Sequence, residues 1–212
     1  MELYTYFRSS AAYRVRIALN LKQIDVEQIP VHLINNGGEQ HSSAYHKLNP
    51  NELVPTLVDH HFNLNQSLSI IEYLEEKFTA FPLLPKDMQQ RALIRAFSLD
   101  IACDIHPLNN LRVLQYLTNT LEIDEDQKQA WYKHWVLTGF NAIETQLKNS
   151  NGKFCFGESP TVADCCLIPQ VYNALRFNIY LSAYPKIRSI YKYCNSLEAF
   201  QKAAPEAQPD AT

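Results

Sequence analysis

The hydrophobic pattern of this chain changes period once, and that change limits what it can fold into. Up to about residue 80, short runs rich in Tyr, Phe, Val and Leu alternate with stretches of helical spacing. Around Phe81–Lys86 the sequence FPLLPK places two prolines close together, which marks a linker. Beyond it every apolar repeat follows helical spacing and no strand pattern recurs.

Within the first part, Glu2–Phe7 reads as a strand, and Ser9 and Ser10 offer N-cap side chains to a helix over Ala11–Lys22. Val26–Leu33 reads as a second strand, placed at a sheet edge by Pro30. Asn35–Pro50 is polar and contains Gly37 and Gly38, so a loop with one short helix is expected. Val54–Asp59, a His60–His61 turn and Phe62–Leu64 read as strand, turn, strand, followed by a helix from Ser67. The order βαβ then ββα predicts an α/β thioredoxin-like domain over residues 1–80. A linker over 81–86 leads to an all-α helical bundle over 87–212. Its helices are expected over Met88–Ile105, Asn109–Leu117, Asp124–Leu147, Thr161–Ala174 and Tyr184–Phe200, with a frayed tail from Pro205.

Charge excludes one class of partner. Residues 1–80 carry 6 Lys and Arg against 9 Asp and Glu, and the whole chain has a net charge of -3. Neither part is basic, so a nucleic-acid partner is not expected. The five cysteines form no CxxC and no zinc-ligand spacing, and read as reduced, mostly buried thiols. The seven histidines include no HExxH, so no metal is expected. No apolar run approaches the ~18 residues of a membrane span, and no leader pattern opens the sequence, so the expected location is cytoplasmic.

Four short segments carry possible chemistry. Arg8-Ser9-Ser10 lies between the first strand and first helix, where free backbone N–H groups and the helix dipole favour an anion such as a thiolate. A plain helix cap is the alternative. Val54-Pro55 opens a strand; a cis bond there would turn the Val54 backbone outward to pair with an extended peptide. Gln66-Ser67 opens the third helix, with Ser67 placed as its N-cap and able to receive a carboxylate. Arg176-Phe177 follows the Thr161–Ala174 helix and reads either as a carboxylate clamp or as a solvated charge. Thr161-Val162-Ala163-Asp164 is a capping box with Asp in the Glu position and is structural.

Taken together these residues resemble the zeta class of glutathione transferases. The resemblance runs along nearly the whole chain: Tyr6 to Leu19 (YFRSSAAYRVRIAL), Leu48-Asn49-Pro50, Val54-Pro55-Thr56-Leu57, Gln66 to Glu76, Asp104 to Leu111, Ala163-Asp164, Pro169-Gln170-Val171, Arg176-Phe177 and Tyr184-Pro185. It implies glutathione as cofactor, held by Ser9, Ser10, Gln40, Val54, a cis Pro55, Gln66 and Ser67, with His106 and Asn109 nearby. Ser9, Ser10 and Arg8 are implied as catalytic, with Ser9 stabilising the thiolate, and Arg8 and Arg176 as receptors for substrate carboxylates. The implied reaction is cis-trans isomerisation of maleylacetoacetate in tyrosine and phenylalanine catabolism, by a homodimer. Maleylpyruvate isomerisation, or general transfer of glutathione to small electrophiles and halo-acids, is the alternative. The chain departs from the family pattern at Ala11, where a cysteine is usual, and at Tyr13, where a tryptophan is usual.

Overall fold

The computed structural model describes residues 1–211. They divide into two compact units, one formed by Met1–Leu83 together with the segment from Asn195 onward, the other by Leu84–Cys194.

The first unit is built on a four-stranded sheet of β1 (Glu2–Thr5), β2 (Glu27–Pro30), β3 (Thr56–Asp59) and β4 (Phe62–Asn65), in the order β2-β1-β3-β4. β2 runs parallel to β1, with Thr5 opposite Pro30, while β3 is antiparallel to both β1 and β4. Pro30 therefore sits on an edge strand, where its missing N–H costs no ladder bond. Two helices complete the unit's core, α1 (Ser10–Lys22) and α3 (Ser67–Lys77). Ile17, Ile70, Ile71 and Leu74 from these helices, and Leu3 and Leu57 from the sheet, are all fully buried. Between β2 and β3 the expected loop and short helix are two 3-10 turns (Asn35–Gly37 and Glu39–His41) and α2 (Ser43–Leu48).

The second unit is helical: α4 (Met88–Leu99), α5 (Leu111–Asn119), α6 (Glu125–Gln146), α7 (Val162–Arg176) and α8 (Pro185–Cys194). α7 is buried on almost all sides, as expected of a helix at the centre of a bundle. α6 turns Tyr132, Val136, Phe140 and Ile143 inward at helical spacing, and Gly139 on the same helix meets Ile105 so closely that a Cβ there would overlap its side chain.

Three expectations differ from the fold. The helix foreseen over Met88–Ile105 changes its hydrogen-bond register at Asp100, where Asp100–Ile105 forms a π-turn. The helix foreseen over Tyr184–Phe200 is two helices, α8 and α9 (Glu198–Ala203), because the chain turns at Asn195-Ser196. α9 belongs to the first unit, and the tail foreseen as frayed continues into a 3-10 turn at Pro205–Ala207, with Asp210 accepting a hydrogen bond from the Phe7 N–H.

The capping box at α7 is formed as foreseen. The Asp164 carboxylate is fully buried and accepts from the Thr161 N–H (2.8 Å), the Thr161 hydroxyl (3.1 Å) and the Cys155 N–H (2.8 Å). Asp164→Ala would strand two buried backbone donors, so it should lower unfolding free energy by about 3–5 kcal/mol, measured as a fall in the urea midpoint.

Candidate glutathione site and its helical-unit counterpart

The site in the first unit is assembled from the ends of elements, where backbone groups have no partners within their own helix or ladder. Ser9 is the N-cap of α1: its φ and ψ are extended and its Oγ accepts from the Ala12 N–H at 3.2 Å. The turn before it closes through the Ser9 N–H, which donates to the Tyr6 carbonyl at 2.9 Å. Arg8 is exposed, with its guanidinium 4.8 Å from the Phe7 ring centre, and Ser10 is buried one residue inside the helix.

Val54 and Pro55 lie just ahead of β3, both are buried, and the bond between them is cis. Asn49 fixes this segment. It is 1% exposed, donates from Nδ2 to the Leu53 carbonyl at 2.7 Å, and accepts at Oδ1 from the Asn51 N–H and from Asn65 Nδ2. The Tyr45 hydroxyl donates to the same Leu53 carbonyl at 2.6 Å. Tyr6, Phe7, Val31, Tyr45 and Val54 form one buried cluster, with Leu33 and Ala211 packed against it. The turn bearing Ser9 and the segment bearing Val54 therefore share a core.

The N-terminus of α3 differs from the expectation. Gln66, not Ser67, is the N-cap; its φ of 67° lies in the left-handed region and its side chain makes no capping bond. Ser67 is instead the first helical residue, buried, and its Oγ accepts from Nη1 of the buried Arg14 at 3.2 Å. The first N–H groups of α3 are thus left uncapped by a side chain, with a guanidinium behind them. That combination favours a carboxylate in front.

Gln40 is 8% exposed; its Nε2 lies 3.0 Å from His41 Nε2 and 3.4 Å from the Leu33 carbonyl. His41 Nδ1 in turn lies 2.6 Å from Glu52. Gln40 Oε1 is buried with no partner, an acceptor that suits a donor from a bound peptide. Gly38, at a φ of 103°, makes room for this side chain, which occupies the space a Cβ would need.

The remaining expected residues lie in the second unit. His106 follows the π-turn, its N–H donating to the Ile101 carbonyl at 3.0 Å. Asn109 is buried; its Nδ2 donates to the Tyr132 carbonyl at 3.4 Å, and its Oδ1 has no partner. The Tyr132 ring stacks on Phe177 at 3.8 Å, and the Arg176 guanidinium lies 5.0 Å from the Phe177 ring centre. Arg176 itself is exposed. Burial holds the Tyr132 hydroxyl well above the usual range, with the Arg176 charge opposing. The structure thus links Asn109 and Arg176 through Tyr132 and Phe177, which the sequence reading did not single out as a pair.

Of the five cysteines only Cys103 is exposed. Cys155, Cys165, Cys166 and Cys194 are buried, and burial pushes the thiols of Cys155, Cys165 and Cys194 up. Among the described residues no group of three or more His, Cys, Asp or Glu side chains is placed to hold a metal ion, and no helix is long and apolar enough to cross a membrane.

Comparison with known proteins identifies the class. Residues 3–82 match the glutathione S-transferase N-terminal domain and residues 110–202 match the glutathione S-transferase C-terminal domain. The chain belongs to the glutathione S-transferase family. It is 52% identical over 209 residues to a probable maleylacetoacetate isomerase of Vibrio cholerae, covering 99% of this chain and 97% of the relative. Its fold is similar to a holo maleylpyruvate isomerase, a bacterial glutathione S-transferase in the zeta class, with a TM-score of 0.96, 44% identity and full coverage of both chains. It is also similar to a maleylacetoacetate isomerase of Methylobacterium extorquens with bound malonate and glutathione, with a TM-score of 0.95, 37% identity and full coverage of both chains. The resemblance to the zeta class is borne out.

Asn49→Ala tests how the Val54 segment is held. It removes the donor to Leu53 and the acceptor of Asn51 and Asn65, so unfolding free energy should fall by about 2–3 kcal/mol, read from denaturant titration.

Proposed function

We propose that this protein is a glutathione-dependent isomerase that converts maleylacetoacetate to fumarylacetoacetate. The observation that carries the reading is the Ser9-capped N-terminus of α1, set in a chain that aligns end to end with isomerases of this kind. Three features support glutathione as the molecule bound. Gln40 Oε1 is an orphan acceptor. The α3 N-terminus is uncapped and backed by Arg14. The Val54-Pro55 bond is cis, which suits a Val54 backbone that pairs with an extended peptide. Gln66 and Ser67 would hold the γ-glutamyl carboxylate, Val54 the peptide backbone, and Ser9 and Ser10 the sulfur.

Bound glutathione supplies the thiolate that adds reversibly to the cis double bond, which lets that bond rotate before the thiolate leaves. The protein's own part is electrostatic. The Ser9 hydroxyl and the first N–H groups of α1 lower the cost of a negative sulfur. Arg8, exposed at the same turn, would bind a carboxylate of the acid, and a guanidinium near the conjugated carbonyl would stabilise charge that develops there. No proton need be held by a buried acid, and no protein thiol takes part.

Maleylpyruvate is the second substrate to consider, because a maleylpyruvate isomerase shares the fold at 44% identity. The two acids should be assayed side by side, with and without glutathione, following loss of the cis isomer and the glutathione concentration. Turnover that needs glutathione and leaves its concentration unchanged is the expected result, with maleylacetoacetate the faster substrate. Faster turnover of maleylpyruvate would reassign the substrate, and stoichiometric consumption of glutathione would make the protein a conjugating transferase. Ser9→Ala should slow isomerisation by roughly 10²-fold, the scale of a lost oxyanion-hole donor, while costing only about 1 kcal/mol of stability as a helix cap.

The same reading includes a cytoplasmic homodimer. Supporting it, α4 leaves Met88, Ala92, Ala96 and Leu99 exposed along one stripe, with Met88 80% exposed, more apolar surface than a solvated helix face usually carries. Light scattering should return twice the 24.4 kDa chain mass, and Met88→Glu with Leu99→Glu should shift it toward the monomer.

A further inference from the structure

We propose that Asp210, on the segment after α9, is a positioning residue: it holds the turn Tyr6–Ser9 and so fixes the N-terminus of α1 that faces the thiol. This rests on the functional reading above, because it concerns the same turn.

The turn has few backbone groups, and those on its inner side are each held. The Tyr6 carbonyl accepts from the Ser9 N–H (2.9 Å) and from Arg16 Nη1 (3.3 Å). The Phe7 carbonyl accepts from Arg16 Nη2 at 2.9 Å. The Phe7 N–H, which lies beyond the end of β1, donates to Asp210 Oδ2 at 3.0 Å. A residue 203 positions away in sequence thus closes the last of these bonds. Asp210 also supplies charge: Arg16 is 2% exposed, and the Asp210 carboxylate favours its cationic form against the cost of burial.

The segment that brings Asp210 here is itself built. Gln208, 6% exposed, donates from Nε2 to the carbonyls of Lys202 and Ala204, both at 2.8 Å. This ties the chain after α9 back onto that helix. The Ala211 N–H donates to the Gln208 carbonyl at 3.1 Å, closing a turn around Asp210. Ala211 then packs against the cluster of Tyr6, Phe7 and Val54. α9 is anchored in turn, since Arg16 Nε donates to the Ala203 carbonyl at 3.0 Å and Asn20 Nδ2 to the Ala199 carbonyl at 2.9 Å. The segment is therefore a strap running from α9 to the turn that carries Ser9.

Aspartate at this position matters in two separable ways, as an acceptor and as a charge. Asp210→Ala removes both, while Asp210→Asn keeps an acceptor oxygen. A third variant stops the chain after Gln208. For each, kcat/KM for isomerisation, the pKa of the bound glutathione thiol (from thiolate absorbance), the Tm and the exchange rate of the Phe7 amide should be measured. Asp210→Ala and the shortened chain should lose roughly tenfold in kcat/KM, the scale of one charge-assisted hydrogen bond. They should also raise the thiol pKa and speed Phe7 amide exchange, with the folded fraction at assay temperature unchanged. Asp210→Asn should recover most of the rate. An unchanged thiol pKa and rate in both deletions overturns the proposal, as does a loss that only tracks the unfolded fraction. A parent protein that does not bind glutathione overturns the functional reading and the catalytic part of this one together, and Phe7 exchange then decides whether the strap holds the turn.

Discussion

The first unit is organised around one buried cation. The Arg16 guanidinium donates to the Thr5 hydroxyl, the carbonyls of Tyr6 and Phe7, and the carbonyl of Ala203, and it lies 5.4 Å from the Tyr13 ring centre. Placing a charge in a low-dielectric interior is costly unless hydrogen bonds and counter-charge compensate. Burial pulls its pKa down to about 10 against the opposing influence of Tyr13 and the Asp210 carboxylate, which leaves it charged at neutral pH. Four acceptors from three parts of the chain meet that demand, and in meeting it they join β1, the turn after it, α1 and α9. Replacing Arg16 with an apolar residue would take away the donor of the Phe7 carbonyl and one of the two donors of the Tyr6 carbonyl. The geometry of the site therefore depends on a residue that never faces a ligand.

On this frame the site gathers positive potential without any exposed basic patch. Its sources are the N-termini of α1 and α3, the Arg14 guanidinium behind Ser67, and Arg8 at the turn. Helix termini and buried guanidinium groups act over short distances. A net charge of -3 over the whole chain is therefore compatible with the local seat for a thiolate and a carboxylate proposed above. Gln40 adds a neutral acceptor rather than another charge, so under the proposed reading the seat would distinguish a peptide that brings both anions and donors from a simple anion.

Much of this was legible in the sequence, and what was not has physical reasons. The Ser9 cap, the edge strand marked by Pro30 and the Thr161–Asp164 box follow from local chemistry, and the fold reproduces each. Arg14 and Arg16 defeat such reading because charge normally marks a solvated face, whereas α1 is buried on nearly every side. Their only signal was charge set inside the apolar run Tyr13–Leu19. The π-turn at Asp100–Ile105 shifts hydrogen bonds without altering which residues are apolar, so periodicity continues across it. Apolar spacing also runs across Asn195-Ser196, hiding the break between α8 and α9. The segment after Pro205 has no apolar stripe, and it is held by Gln208 and Asp210 through polar bonds that no hydrophobic pattern records. The left-handed Gln66, which displaces Ser67 as N-cap, is likewise invisible to residue preference.

The replacement of the usual cysteine by Ala11 is consistent with this division of labour. Met1–Leu83 and the segment from Asn195 onward contain no cysteine, since all five lie between Cys103 and Cys194. The unit that favours a negative sulfur therefore has no sulfhydryl of its own to occupy the favoured position. A protein thiol near the α1 N-terminus would itself be activated there, and would then be open to oxidation or to mixed disulfide formation with the very thiol the site binds. Alanine, the best helix former, sits at that position inside the first turn of α1. In the other unit, four of the five cysteines are buried, and burial raises the thiols of three of them. The first unit thus carries no cysteine of its own, four of the five cysteines of the other unit are buried, and the N-terminus of α1 is left for a sulfur that arrives from outside.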